Sequence, residues 1–252
     1  MTASGFPRAV NLLLRAIGLM LFAYMIYATF FGPYKTTVVH LALFAAAMLF
    51  LAFLGRERST KPNVKFFQIV LDVAAAAAAV GSMLYLVFEY ERLLSVWGSS
   101  YLTKTDVWVG LIMVGVSLEA ARRQSIILAL LGICGVFYML YGEHLPGVFS
   151  HAGMDVQRFT YLVAYTNEGL FGTGLQVAAT YLFMFMMFGA TLQATKTGDF
   201  IMNIANAALG RQTGGAAKGA MAASAGLGTM VGSSVGNVVA TGTFTIPLMI
   251  KT

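Results

Sequence analysis

The sequence predicts an all-α integral membrane protein of about six transmembrane helices, one interfacial helix and a re-entrant helical hairpin. Three observations carry that prediction. Of the 252 residues, 58% are hydrophobic and only 10% charged, against roughly 45–50% and 25% in a soluble domain. The 10 acidic and 16 basic residues are too few to cover a water-exposed surface, so the solvent for most of the chain is lipid. Finally, the charges fall between long apolar runs, and the last 39 residues combine a long uncharged stretch with many Gly, Ser and Thr.

Residues 16–34 and 36–55 carry no charge, 66–88 hold one acid, Asp72, and 124–142 and 169–195 again hold none. Each supplies the ~20 residues, at 1.5 Å apiece, that a helix needs to cross a ~30 Å hydrocarbon core. A sixth run, 107–121, is shorter and needs its flanks, Tyr101–Asp106 and Glu119–Arg122, to snorkel. Arg8 and Arg15 precede the first run as in a signal peptide, yet the run is long and no small-x-small cleavage pattern follows, which predicts an uncleaved anchor. With the N-terminus in the cytoplasm, eight basic residues lie inside: Arg8, Arg15, Arg56, Arg58, Lys61, Lys65, Arg122 and Arg123. Only Lys35, Arg92, Lys104 and Arg158 lie outside. Basic residues favour the cytoplasmic side, so the N-terminus is placed inside.

Residues 143–168 contain Pro146, Gly147, Gly153, His144 and His151, and read as an extracytoplasmic loop ending in a short interfacial helix from about Asp155. The next span, 173–194, is rich in Phe and Met through Tyr181–Phe188 and returns the chain to the cytoplasm. A polar helix with Asp199, Asn203 and Asn206, closed by Gly210, follows as a connector on the inner surface.

Between Lys218 and Lys251 lie 32 uncharged residues, but eight glycines from Gly214 to Gly242, with Ser224, Ser233, Ser234, Asn237, Thr241, Thr243 and Thr245, argue against one lipid-facing span. Helix breakers at membrane depth are tolerated only against protein or a wet cavity. The stretch therefore divides into half-helices over about 215–231 and 238–249, joined by Gly232-Ser-Ser-Val-Gly-Asn237. An unwound joint exposes carbonyls that coordinate Na⁺, and the N-terminus of the second half-helix offers N–H groups and positive dipole to a carboxylate. Asn237 suits an N-cap, and Ser233 and Ser234 add hydroxyl ligands for a hard cation; helix packing or capping is the plainer reading of the two serines.

The order Phe188-Gly-Ala, Gly198-Asp-Phe200, Gly210-Arg-Gln-Thr-Gly-Gly-Ala-Ala-Lys218, Gly232–Asn237 and Thr241-Gly-Thr-Phe-Thr-Ile-Pro247 resembles the large membrane component of TRAP transporters. Residues 1–121 resemble the small four-helix component, and 122–252 the start of the large one, as in the fused TAXI-type permeases. The resemblance implies a bacterial or archaeal cytoplasmic membrane protein, not an enzyme, that imports organic acids with Na⁺ as coupling ion and no other cofactor. Its implied partners are an extracytoplasmic substrate-binding protein, the organic-acid substrate and membrane lipid. By the same resemblance Gly232, Ser233, Ser234, Val235, Gly236 and Asn237 form the tip of the first hairpin and contribute to a Na⁺ site, with Ser233, Ser234 and Asn237 as its side-chain ligands. Asn237, Thr241 and Thr243 lie beside the substrate path. The family's large component has two inverted repeats and this sequence covers the first, which predicts an N-terminal portion that needs the remainder of its own large component to transport.

Other patterns have plainer readings. The net charge of +6 does not point to nucleic acid, because the basic residues sit between apolar runs rather than on one solvated stripe. Gly232-Ser-Ser-Val-Gly236 fits a nucleophile elbow, but no strand precedes it. Gly228, Gly232 and Gly236 also fit the spacing of a helix dimer, a continuous-helix alternative to the hairpin. Asp72 calls for Lys65 or a neighbouring helix as partner, with a proton relay as the sharper alternative. Glu119 and Arg123 form an i,i+4 pair. Tyr90, Trp97, Tyr101 and Trp108 are belt residues, and Cys134 is a small buried hydrophobe. A Na⁺-coupled organic-anion importer and a non-transporting membrane scaffold remain as the two functional classes.

Overall fold

The computed structural model describes residues 8–55, 62–95, 102–147, 150–195, 197–209, 212–229, 237–238 and 241–242. Every element among them is helical. The chain divides into two units, Met1–Gln176 and Val177–Thr252.

In the first unit, helix starts and stops follow from capping chemistry. After α1 (Arg8–Phe31), α2 (Thr37–Leu54) begins where extended Thr36 accepts the Val39 N–H on its hydroxyl, and it ends at Gly55. α3 (Pro62–Ser95) has proline at its first position, where the missing N–H costs no helix bond. α4 (Lys104–Gln124) opens on a reciprocal box: the Thr103 hydroxyl accepts the Asp106 N–H, and the Asp106 carboxylate accepts the Thr103 N–H at 2.8 Å. Ser125 alone, with extended backbone, separates α4 from α5 (Ile126–Tyr141). Asp155 caps α6 (Val156–Tyr165) by accepting the Gln157 N–H.

Two ionic networks fix how these helices run. At one end Arg92 of α3 donates to Asp106 of α4 at 2.6 and 3.1 Å, and Lys35, between α1 and α2, lies 3.6 Å from Glu91. At the other end Arg123 of α4 pairs with Asp72 of α3 and stands 4.6 Å over the Phe53 ring of α2. Neighbours among α2, α3 and α4 are therefore antiparallel. Along α3 the two networks are 20 residues apart, Asp72 to Arg92, or about 30 Å, which matches the hydrocarbon thickness. The charges of α4 are thus gathered toward its two ends, but α4, the sixth run expected to span, is not among the described helices long and apolar enough to cross a membrane. Asp72 finds its partner on a neighbouring helix, one of the two alternatives above.

Between these girdles the core is small and tight. Ala76 and Ala79, from the alanine run 74–79, pack with Phe53, Leu54 and Val116, small residues letting backbones approach. α6 buries Phe159, Thr160, Ala164 and Tyr165. Its approach to α4 is close: a Cβ on Gly110 would stand 2.3 Å from the Thr160 methyl.

Outside the core, large apolar side chains such as Leu12, Phe30, Ile126, Leu131 and Phe137 are exposed, the pattern of helices whose solvent is lipid. Five stretches are long and apolar enough to span: Leu12–Phe31, Thr37–Leu54, Phe66–Ser95, Ile126–His144 and Thr173–Thr191. Two expectations are corrected by this environment. Cys134 is exposed on α5 rather than buried, because an apolar residue in a bilayer is equally content facing lipid. Tyr90 is buried rather than a belt residue, whereas Trp108 is 68% exposed. Trp97 and Tyr101 lie outside the described residues.

α7 (Thr173–Val177) lies at the boundary between the units. In the second unit a π-helical stretch, Ala178–Leu182, leads into α8 (Phe183–Ala194), followed by α9 (Thr197–Leu209) and α10 (Gly215–Gly228). Gly214 turns the chain into α10 with φ of +69°, a conformation that suits glycine. Ala205 of α9 and Ala223 of α10 form a small buried contact, and Gly226 lets the Ile201 side chain lie close.

Candidate functional site

The joint expected at Gly232–Asn237 is described at Asn237 only; Gly232, Ser233, Ser234, Val235 and Gly236 lie outside the described residues, as does Thr243. α10 begins at Gly215, as the half-helix reading predicts, and stops at Gly228 with Thr229 as its cap. Residues 237–238 and 241–242 are again helical.

The Asn237 amide reaches back to α10. Its Nδ2 donates to the Ser224 carbonyl oxygen at 3.1 Å and to the Ser224 hydroxyl at 3.2 Å. A Cβ on Gly228 would stand 3.2 Å from the same nitrogen, so a small residue there keeps the amide's place clear. In one continuous helix residues 224 and 237 would be about 20 Å apart along the axis. The Asn237–Ser224 contact is not one that a single straight helix through both residues makes.

The orientation of the amide is fixed. A main-chain carbonyl is an acceptor only, so the group facing Ser224 O is the NH₂ and the flipped assignment would oppose two oxygens. Asn237 Oδ1 then points elsewhere, buried and, among the described residues, with no hydrogen-bond partner. A buried carbonyl oxygen without a donor is costly. An oxygen with negative partial charge and no donor fits a hard cation, which oxygen ligands suit. Thr241 is buried; its hydroxyl donates to the Asn237 carbonyl at 2.8 Å, tying the first turn after the joint. Asn237 and Thr241 are thus brought together.

In the first unit the Asp106 carboxylate is a centre that no sequence motif singles out as such. Arg92, the Tyr85 hydroxyl at 2.6 Å, and the Thr103 hydroxyl at 2.7 Å all donate to it, and the buried Tyr165 hydroxyl donates to its main-chain carbonyl at 2.6 Å. Burial alone would raise the Asp106 pKa, but the donors from Arg92, Tyr85 and Thr103 outweigh it and hold the carboxyl well below the usual range. Thr103-x-x-Asp106 ahead of an apolar run is a readable cap signature; its pairing with Arg92 is not local and has no sequence signal. In the loop after α5, His151 Nδ1 accepts the Gly153 N–H at 3.1 Å, so its Nε2 carries the hydrogen directed at the Tyr138 carbonyl, 2.7 Å away. No group of metal-ligating His, Cys, Asp or Glu occurs among the described residues.

A bundle of helices with ionic girdles about one hydrocarbon thickness apart, and with five described helices long and apolar enough to span, defines a multi-pass membrane protein. The sequence model of the tripartite ATP-independent periplasmic transporter DctM component matches residues 109–252, more than half the chain. The chain belongs to this family, whose members are transporter permeases and not enzymes and work with an extracytoplasmic substrate-binding protein. The match begins inside α4. Comparison with curated proteins and with solved structures finds no significant match.

Proposed function

We propose that this chain forms part of the membrane component of a Na⁺-coupled, TAXI-type importer of organic acids in the cytoplasmic membrane, with its N-terminus in the cytoplasm. Residues 1–121 correspond to the small component and 122–252 to the start of the large one. The observation that carries the reading is Asn237 Oδ1, buried and, among the described residues, without a donor, while its amide nitrogen is held by Ser224. In this reading the segment from Gly214 is a re-entrant hairpin, and Asn237 Oδ1 joins Ser233, Ser234 and the carbonyls of Gly232, Val235 and Gly236 around Na⁺. The helical turn holding Asn237 and Thr241 then directs N–H groups, with Thr243, toward the substrate carboxylate. Na⁺ and substrate sites that share one turn of backbone stabilise each other's occupancy, the coupling being reciprocal.

In the native transporter with its binding protein, Asn237→Ala removes one cation ligand and leaves the Ser224 contacts empty. The Na⁺ concentration for half-maximal uptake should rise about tenfold or more, the scale on which metal sites respond to losing supporting groups. Ser224→Ala removes only one of the two acceptors holding the amide and should shift it less. Uptake with unchanged Na⁺ dependence in Asn237→Ala would remove the basis of the reading.

A further inference from the structure

A cavity of about 350 Å³ opens between the C-terminal ends of α2 and α4, lined by Leu51, Ala52, Phe53, Gly55, Ala120, Arg123 and Gln124. That volume is within the ~300–1,000 Å³ of small-ligand sites. We propose that it is a phospholipid head-group site in which Arg123 donates to the lipid phosphate.

Arg123 has five N–H donors. Nε donates to Glu119 at 2.8 Å and Nη1 to Asp72; among the described residues nothing accepts from Nη2. The two acids and the Phe53 ring beneath hold the guanidinium rigid, so the unspent donors meet a ligand without further ordering. Leu51, Ala52, Phe53 and Ala120 give the same cavity an apolar wall. A free phosphate has no use for that wall, whereas a phospholipid presents phosphate and glycerol-linked chains together. The depth agrees: Arg123 marks one ionic girdle, at the hydrocarbon boundary where phosphates lie. Asp72 and Glu119 offset Arg123 and Arg122 locally, but Arg56, Arg58, Lys61 and Lys65 follow Gly55 in the sequence, and basic clusters beside spanning helices attract lipid phosphates. This site is independent of the Na⁺ reading.

The test uses the full native protein, delipidated in detergent and titrated with phosphatidylglycerol while bound lipid is counted by native mass spectrometry. Ala52 and Gln124 are both exposed, so Ala52→Trp fills the cavity and Gln124→Glu charges its mouth. Each should weaken the tightest lipid adduct about fivefold, the worth of one basic contact at a membrane surface, with lipid-free Tm unchanged. Equal lipid retention by wild type and both variants overturns the proposal. So does displacement of the lipid by millimolar inorganic phosphate, which would make this a free-anion site.

Discussion

Asp106 collects hydrogen bonds from Arg92, Tyr85 and Thr103 on a side chain that is fully buried. Removing one partner of such a pair leaves the other uncompensated and costs about 3–5 kcal/mol when both are buried; Arg92 is 37% exposed, so the lower end applies. Asp106→Asn should therefore lower Tm measurably in detergent at neutral pH. The sign of the pH dependence follows from the lowered pKa. Stability from a depressed carboxyl is complete above its unfolded value near ~3.9 and is lost as pH falls toward the folded one. The Tm gap between wild type and Asp106→Asn should hold from pH 5 to 8 and narrow below about pH 4, and a gap that grows on acidification would contradict this assignment. At this scale the sequence is partly legible. An acid two turns inside a span needs a partner, which identifies Asp72 as paired, but whether Lys65 or a helix 51 positions away supplies it depends on packing. Asn237 reads as a cap and cation ligand; the orphaned Oδ1 that singles it out becomes visible only once Ser224 has taken its nitrogen.

Helices are the more legible scale because their boundaries rest on nearby residues: Thr36, Pro62, Thr103, Ser125 and Asp155 each start or break an element where local chemistry requires it. Contacts between helices are not local, and the docking of α6 on α4 illustrates the difference. Asp155 announces the helix, yet nothing nearby says that Thr160, Ala164 and Tyr165 will rest on Gly110. A side chain at Gly110 meets Thr160 at 2.3 Å and Ala164 and Tyr165 at 3.2 Å. Gly110→Leu overpacks this contact and should cost about 1–3 kcal/mol, seen as a lower Tm and faster proteolysis of the 142–155 loop. Wild-type Tm and proteolysis in Gly110→Leu would mean that α6 does not rest there. The 107–121 run looks too short from its charges alone; in three dimensions Asp106, Glu119 and Arg123 are all paired at its ends.

For the whole molecule, composition points to lipid as the solvent and the charge pattern predicts about six crossings, of which five are helices long and apolar enough to span among the described residues. Orientation rests on the two-to-one excess of basic residues on one side. Alkaline phosphatase fused after Gly147 should be active and one fused after Gln212 inactive; the reverse pattern would invert the topology. Transport, however, depends on whether the segment after α10 is a wet, Na⁺-binding hairpin. The most direct measurement is modification of Ser233→Cys by a hydrophilic maleimide in the native transporter, with Cys134→Ala removing the exposed native thiol. The hairpin account predicts reaction in K⁺ and about fivefold or greater slowing in Na⁺, the low end of typical site–site coupling. A thiol that stays silent in both ions, or reacts equally in both, would contradict it.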